Sequence, residues 1–298
     1  MTENEFMLQD RITKIKSINE KYDLENNAYV SFSGGKDSTV LHYLLDEALP
    51  NNKIPRVYIN TGIEYNSIIK FVKELAETDE RIIIKSPKIN IRDMLEKYGY
   101  PFKSKKHSHV LAIYQSNGMS RNPSVYLTQT GRYGCPQKLK YQFTEDFKLK
   151  VSEKCCYKLK KEPMHEFEVE SGRTIFMSGM RADEGGARIS LNCIYTDKDN
   201  SLRKFHPLLP VNEDFEKWFI DKINKRFADV YYPPYNFERT GCKGCPYSRN
   251  LQKDLETMSV FLPAERKQCE VIWKPVYDEY RRIGYRLKKE DEFKLFDF

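Results

Sequence analysis

Apolar residues along this chain fall into short continuous runs and into longer stretches of helical spacing, with polar turns between them. Ala28–Phe32 is an apolar run of strand length. Ser33-Gly34-Gly35-Lys36-Asp37-Ser38 follows it, and Val40-Leu41-His42-Tyr43-Leu44-Leu45 then predicts a helix. Ile54–Asn60 reads as a second strand that ends at Thr61-Gly62. From Asn66 to Glu77 the positions Ile68, Ile69, Phe71, Val72 and Leu75 recur on one helical face. Arg81–Lys85, Arg173–Gly179 and Leu202–Leu209 predict further strands, Phe215–Phe227 a helix, and residues 87–150 a mostly helical, irregular stretch. Alternating strands and helices with short connections predict a doubly wound parallel α/β sheet of about five strands. Residues 1–26 form a helical N-terminal extension in this reading, 27–240 the α/β domain, and 241–298 a cysteine loop with a C-terminal helical segment.

Ligands in such sheets bind beyond the carboxyl ends of the strands. Three predicted strand ends carry glycine: the Ser33 loop, Asn60-Thr61-Gly62 and Ser178-Gly179-Met180-Arg181. They are expected to converge on one crevice. Gly34 and Gly35 permit a tight turn, and the open amides of the following helix would then face one spot that the helix dipole makes favourable for an anion. Ser33, Ser38 and Thr39 add hydroxyl donors and Lys36 a positive charge. A strand, a glycine turn and a helix start in this order make a phosphate cradle, though without the spacing of a Walker A sequence.

Composition narrows the setting. The 298 residues are 40% hydrophobic and 31% charged, with a net charge of +7. That balance suits a well-solvated globular protein with an anionic ligand, and permits nucleic acid. Lys103-Ser104-Lys105-Lys106-His107 and Lys158–Lys161 are short clusters, read here as solvated faces. No apolar run reaches the length of a membrane span and the first residues are no signal peptide, so a cytoplasmic protein is expected.

Seven cysteines, an odd number, argue for metal or redox chemistry rather than a disulfide framework. Cys242-Lys243-Gly244-Cys245-Pro246 is a turn that lets two thiolates reach one metal. Cys155-Cys156 is a tandem pair, whose side chains diverge on a regular helix or strand, so that joint ligation demands a special local backbone. Four thiolates would also suit zinc. Cys135 and Cys193 read as packing residues, His107 and His109 as surface or capping residues, and Tyr231-Tyr232-Pro233-Pro234-Tyr235 as packing ahead of the cysteine loop.

Ser-Gly-Gly-Lys-Asp-Ser resembles the PP-loop of the ATP pyrophosphatase superfamily. Cys155-Cys156, 85 further residues and then Cys242-x-x-Cys245 resemble the signature of adenylyl-sulfate (APS) reductases in the phosphoadenylyl-sulfate (PAPS) reductase family. Cys155–Pro163 follows that family's Cys-Cys-x-x-x-Lys-x-Glu-Pro, Ser178–Arg188 its Gly-x-Arg-x-Asp-x-x-x-x-Arg loop, and Phe205–Leu208 its Asn-Pro-Leu segment. The resemblance implies ATP, APS or PAPS as ligand, held by Ser33, Gly34, Gly35, Lys36, Asp37, Ser38, Asn60, Thr61, Gly62, Gly179, Arg181, Asp183 and Arg188. It implies a 4Fe–4S cluster on Cys155, Cys156, Cys242 and Cys245, with Lys160 and Arg181 near the reacting sulfate.

One departure stands out. The family's reductases carry a nucleophilic cysteine on a C-terminal tail, whereas Lys294–Phe298 contain none. Cys269 lies 24 residues beyond Cys245 but in an amphipathic pattern that runs on to Tyr280, so it is a candidate nucleophile in an unfavourable place. Two reactions follow. A sulfonucleotide reductase would reduce APS or PAPS with a thioredoxin-like partner. An ATP pyrophosphatase would adenylate an acceptor, DNA or tRNA among the candidates, for sulfur insertion.

Overall fold

The computed structural model describes residues 1–289. The segment Lys294–Phe298, and with it the end of the expected 241–298 region, lies outside the described residues. In chain order α1 (Glu3–Tyr22) and α2 (Leu24–Asn27) precede β1 (Ala28–Phe32), α3 (Lys36–Ala48), β2 (Arg56–Ile59), α4 (Asn66–Thr78) and β3 (Ile82–Lys85). Three helices follow, α5 (Ile91–Tyr98), α6 (Lys105–Asn117) and α7 (Arg121–Thr128). Next come α8 (Glu162–Ser171), β4 (Ile175–Met177), β5 (Ile194–Thr196), β6 (Leu202–Phe205) and α9 (Glu213–Lys222). The chain closes with α10 (Leu251–Phe261), α11 (Pro263–Ile272) and α12 (Lys274–Ile283).

Two compact units result. The first comprises residues 1–60, 64–86 and 162–240, and the second 61–63, 87–161 and the chain from Gly241 onward. The expected 27–240 region is therefore divided, because residues 87–161 associate with the cysteine loop rather than with the sheet.

The sheet of the first unit has the order β3-β2-β1-β4-β6-β5, parallel except for β5, which runs antiparallel to β6. It is the doubly wound α/β fold. The chain steps outward from β1 to β2 and β3, then returns to the other side of β1 with β4. The order thus reverses between β1 and β4, the place where such sheets open a crevice. Tyr29, Val57 and Ile59 form a buried cluster with Phe167 of α8, with the Tyr29 and Phe167 rings edge-on at 5.4 Å. Phe32, on the alternate side of β1, meets His42 of α3 at 5.9 Å between ring centroids. Helices therefore cover both faces. Beneath α3 the buried Arg56 guanidinium bonds Asn52, His42 and Asp46, tying helix to strand.

The strand-like apolar run at Cys193 corresponds to β5, which proves to be a short, half-exposed edge strand whose pairing to β6 is irregular at Tyr195 and Thr196. Cys193, expected in the core, is only half-buried beside it. The helix expected to run from Cys269 to Tyr280 is broken at Trp273. Pro275 lacks the N–H that would continue the ladder, so it opens the new helix α12.

In the second unit, Phe102, Leu111, Tyr126 and Phe143 supply buried packing, and the rings of Phe102 and Tyr280 meet at 4.6 Å. His107 corrects the surface assignment. It is fully buried between the Tyr126 hydroxyl (3.1 Å) and Gln142 (2.7 Å), and burial lowers its pKa to about 4. His109 is exposed, 3.0 Å from Glu153.

Candidate functional site

In the first unit the backbone builds the cradle. Gly34 sits at φ +68°, and a Cβ there would lie 2.7 Å from the Val72 side chain, so both conformation and space demand glycine. Gly35 precedes α3 without any side-chain cap, which leaves the amides of the first helical turn open to a ligand. The Ser33 and Ser38 hydroxyls lie 3.0 Å apart, and the Ser38 hydroxyl donates to the Gly35 carbonyl at 3.1 Å. On the neighbouring strand, Gly179 passes so close that a Cβ would come within 2.5 Å of the Asp37 carbonyl oxygen. The loop after β4 thus buttresses the start of α3.

Ser33, Gly35, Lys36, Asp37 and Ser38 line one cavity of about 390 Å³ with Arg181, Asp183 and Arg188. Lys36 Nζ is 2.8 Å from Glu213 Oε1, which already holds its charge at the rim of the cavity. Arg181 is buried, 3.5 Å from Asp37 and 3.3 Å from both Asp183 and Glu216, yet its Nε and Nη1 make no hydrogen bond. The guanidinium is held by carboxyl groups at ion-pair distance without a formed hydrogen bond at Nε or Nη1, so those donors can still turn to an incoming anion.

Glu216 is fully buried, and burial followed by the charge of Asp37 pushes its carboxyl up to about 9. Burial also raises Asp37, against the pull of Arg181. Asp37 and Glu216 are both pushed up, so the pair resists full ionisation beside Arg181. Arg188 and Arg239 both contact Glu184.

Asn60, Thr61 and Gly62 are not among the residues that line this cavity. Asn60 ends β2, its N–H bonded to the Lys85 carbonyl at 2.8 Å. Thr61 and Gly62 fall in the second unit, with Gly62 at φ +79°. Sequence reasoning missed Glu213, Glu216, Tyr231, Arg239 and Thr240. Glu213 and Glu216 are three apart on α9, a spacing that shares a helical face and could have been noticed. Tyr231 corrects its assignment as packing for the cysteine loop: it lines the cavity, bonds the Thr240 hydroxyl and lies 5.6 Å beneath Lys36.

The second unit contains all four candidate metal ligands. Cys155 and Cys156 immediately precede a π-helical turn over Tyr157–Lys161, the special backbone a tandem pair requires, and their sulfurs are 3.9 Å apart. The Cys155 thiol is pushed up by its bond to Cys156, then by burial and by the charges of Cys156, Cys245 and Cys242. The charges of Cys156, Cys242 and Cys245 all bear on Cys155, and four soft thiols in one unit are a donor set of the chemistry an iron–sulfur cluster takes. Cys156 is shifted down, by its bond to Cys155 and by Lys105, Lys160 and Lys161. Lys160 is thus placed at the cysteines.

The Cys242–Cys245 loop is held from behind. Gly244 turns at φ +62°, and the Tyr277 hydroxyl donates to its carbonyl. Trp273 Nε1 donates to the Lys243 carbonyl at 3.2 Å, and the Tyr280 hydroxyl to that of Pro246 at 2.9 Å. Lys243 is itself buried, 3.0 Å from Glu265. Cys269 belongs to this support. Its side chain has no exposure, it abuts Gly244, and burial pushes its thiol up to about 12. A neutral, enclosed thiol is a packing group, which corrects its candidacy as a nucleophile. His42, Asp46 and Asp79 also cluster tightly enough for a metal, but Arg56 and Arg81 already occupy the carboxylates.

With this geometry in view, residues 27–122 and 131–248 match the family model of the phosphoadenosine phosphosulfate reductase domain. The chain belongs to this family. An uncharacterized protein of Methanocaldococcus jannaschii is 24% identical over 295 residues, 95% of this chain and 56% of that protein. The chain thus spans little more than half the length of that curated relative. Among solved structures, PAPS reductase from Candida auris in its phosphate complex is 13% identical with a TM-score of 0.45, covering 81% of this chain and 96% of its own. FMN adenylyltransferase from Candida glabrata is 17% identical with a TM-score of 0.45, covering 79% and 61%. A U34-tRNA thiolase from Methanococcus maripaludis with its 4Fe–4S cluster is 15% identical with a TM-score of 0.38, covering 94% and 80%. No helix among the described residues is long and apolar enough to cross a membrane.

Proposed function

We propose that this member of the PAPS reductase family binds an adenine nucleotide by its phosphates at the Ser33–Ser38 loop and uses it in sulfur chemistry. The observation that carries this is the buried Arg181 with its unbonded donors facing the uncapped start of α3. The amides of the first turn, the Ser33 and Ser38 hydroxyls and Arg181 hold phosphate oxygens, and Arg188 and Lys36 add charge at the rim. Cys155, Cys156, Cys242 and Cys245 would hold a 4Fe–4S cluster, which would supply electron transfer or a binding point for sulfur.

Two reactions divide on Cys269. Reduction of APS or PAPS through a protein thiosulfonate needs an accessible thiolate, and Cys269 is enclosed. Adenylation needs no protein nucleophile. An acceptor oxygen attacks the α-phosphorus of ATP, pyrophosphate leaves, and a sulfide-level donor then displaces AMP. That burial favours the adenylation route, while Lys160 beside the tandem cysteines is the feature in favour of the sulfonucleotide reductase. Anaerobically purified protein should be assayed in parallel for pyrophosphate from ATP, with tRNA and DNA as acceptors, and for sulfite from APS and PAPS with thioredoxin. Pyrophosphate without sulfite is expected; sulfite that survives Cys269→Ser overturns the argument from Cys269, and binding of none of the three nucleotides ends the reading.

A further inference from the structure

Residues 87–161 contain sixteen Lys and Arg against five Asp and Glu, a surplus of eleven positive charges in a chain whose total is +7. From Lys97 to Thr144 there is no acidic residue. A solvated face normally mixes both signs, so this run concentrates charge rather than spreading it.

The structure gathers these cations around tyrosine rings. Lys106 Nζ donates to the Tyr133 carbonyl at 2.8 Å and lies 5.5 Å from the ring centroids of the buried Tyr126 and of Tyr133, which is 62% exposed. Lys103 and Lys140 both reach Cys135, two residues beyond Tyr133. Tyr157, 53% exposed, lies 5.8 Å from Lys158, and Lys160 and Lys161 follow it within the same π turn. Burial and the like charges of Arg286 and Lys106 disfavour the charged form of Lys103, an imbalance that an anion would relieve. Cations alone would suit any polyanion. Cations interleaved with open rings suit an unpaired strand, whose phosphates need charge and whose bases need a flat partner.

We infer that residues 98–161 form a docking surface for single-stranded nucleic acid, with phosphates on Lys105, Lys106 and Lys140 and bases stacked on Tyr133 and Tyr157. The inference rests on charge and rings, not on the reaction proposed above. Its test reads neither nucleotide turnover nor the cluster, so the two can fail separately.

The experiment is fluorescence anisotropy of labelled 20-nucleotide oligo-uridylate and oligo-thymidylate with the full chain, purified anaerobically, at several salt concentrations. Lys106→Glu/Lys140→Glu should weaken binding at least tenfold and flatten the log-affinity against log-salt slope by about 1.4, the value for two lost single-strand phosphate contacts. Tyr133→Ala should weaken binding roughly tenfold with the salt slope unchanged, the mark of a stacking contact. Lys53→Glu/Lys198→Glu, an equal charge change at exposed lysines of the first unit, should stay within about twofold. Circular dichroism of each variant checks the fold. The inference is overturned by no binding of either oligonucleotide at 50 mM salt, by equal losses in the two charge-reversed pairs, or by polyglutamate competing as well as unlabelled oligonucleotide.

Discussion

The two units of this protein solve opposite electrostatic problems. The first has 22 basic and 28 acidic residues, and the second 28 basic and 15 acidic. Yet it is the acidic unit that holds the Ser33–Ser38 loop and the buried Arg181. Its carboxylates are local devices: Glu213 holds Lys36, and Asp37, Asp183 and Glu216 surround Arg181, so the positive charge is confined to one small cavity. In the basic unit three lysines, Lys105, Lys160 and Lys161, add to the bond from Cys155 in shifting Cys156 down. The contrast teaches that net charge is a poor guide to where an anion binds. Burial and geometry decide for a small ligand, and surplus charge matters for a long one.

The largest effect expected from breaking this contrast is at the cysteines. Cys245→Ser should remove bound iron and acid-labile sulfide from anaerobically prepared protein, while ATP affinity changes little. Metal analysis and isothermal titration on one preparation measure both; stoichiometric zinc without sulfide in the native protein would instead make the second unit a structural zinc site. Next comes Gly35→Asp, which puts a carboxylate beside Ser33 and Tyr231 in the cradle. Nucleotide affinity should fall on the order of a hundredfold, the scale of one misplaced buried charge. An unchanged dissociation constant for ATP, APS and PAPS would move the binding site elsewhere.

Gly244→Ala should cost about 2–3 kcal/mol of stability, because the backbone turns left-handed there and a Cβ would lie 2.8 Å from the Cys269 sulfur. Chemical denaturation measures it, and a cost below half a kcal/mol would mean the loop yields easily.

The effect least visible at any single pH is a slope. The folded-state pKa of Glu216 is raised to about 9 from its ordinary 4.5, so between those limits the folded protein binds the extra proton. Its contribution is therefore present below the unfolded value and declines as pH rises toward 9. Glu216→Gln should flatten the fall of stability between pH 5 and 9 by up to about 1.4 kcal/mol per pH unit. Parallel profiles in melting experiments would show that Asp37, not Glu216, carries the proton.

Much of the first unit was legible because each strand of the central sheet is a short apolar run and the Ser33 loop announces its own turn. What stayed hidden depends on distant approach. Nothing local marks Tyr231 or Thr240 as cavity residues, since the chain returns to Lys36 only after α9. Residues 87–161 were read as part of the α/β domain because helical spacing says nothing about which neighbour a helix packs against. Cys269 shows the same limit in reverse: its spacing from Cys245 suggested chemistry, and only its enclosure behind Gly244 revealed support.

The π-helical turn at Tyr157–Lys161 carries a consequence for how this site could arise or be lost. A π turn is a helix holding one residue too many. Excising Tyr157 would let the segment relax to a regular helix, with the residues on either side kept near their present faces because the widened turn absorbs the extra residue. Such a deletion would alter the backbone directly after Cys155 and Cys156 while leaving both thiols in the chain. A single codon could thus retune the tandem pair without touching either cysteine.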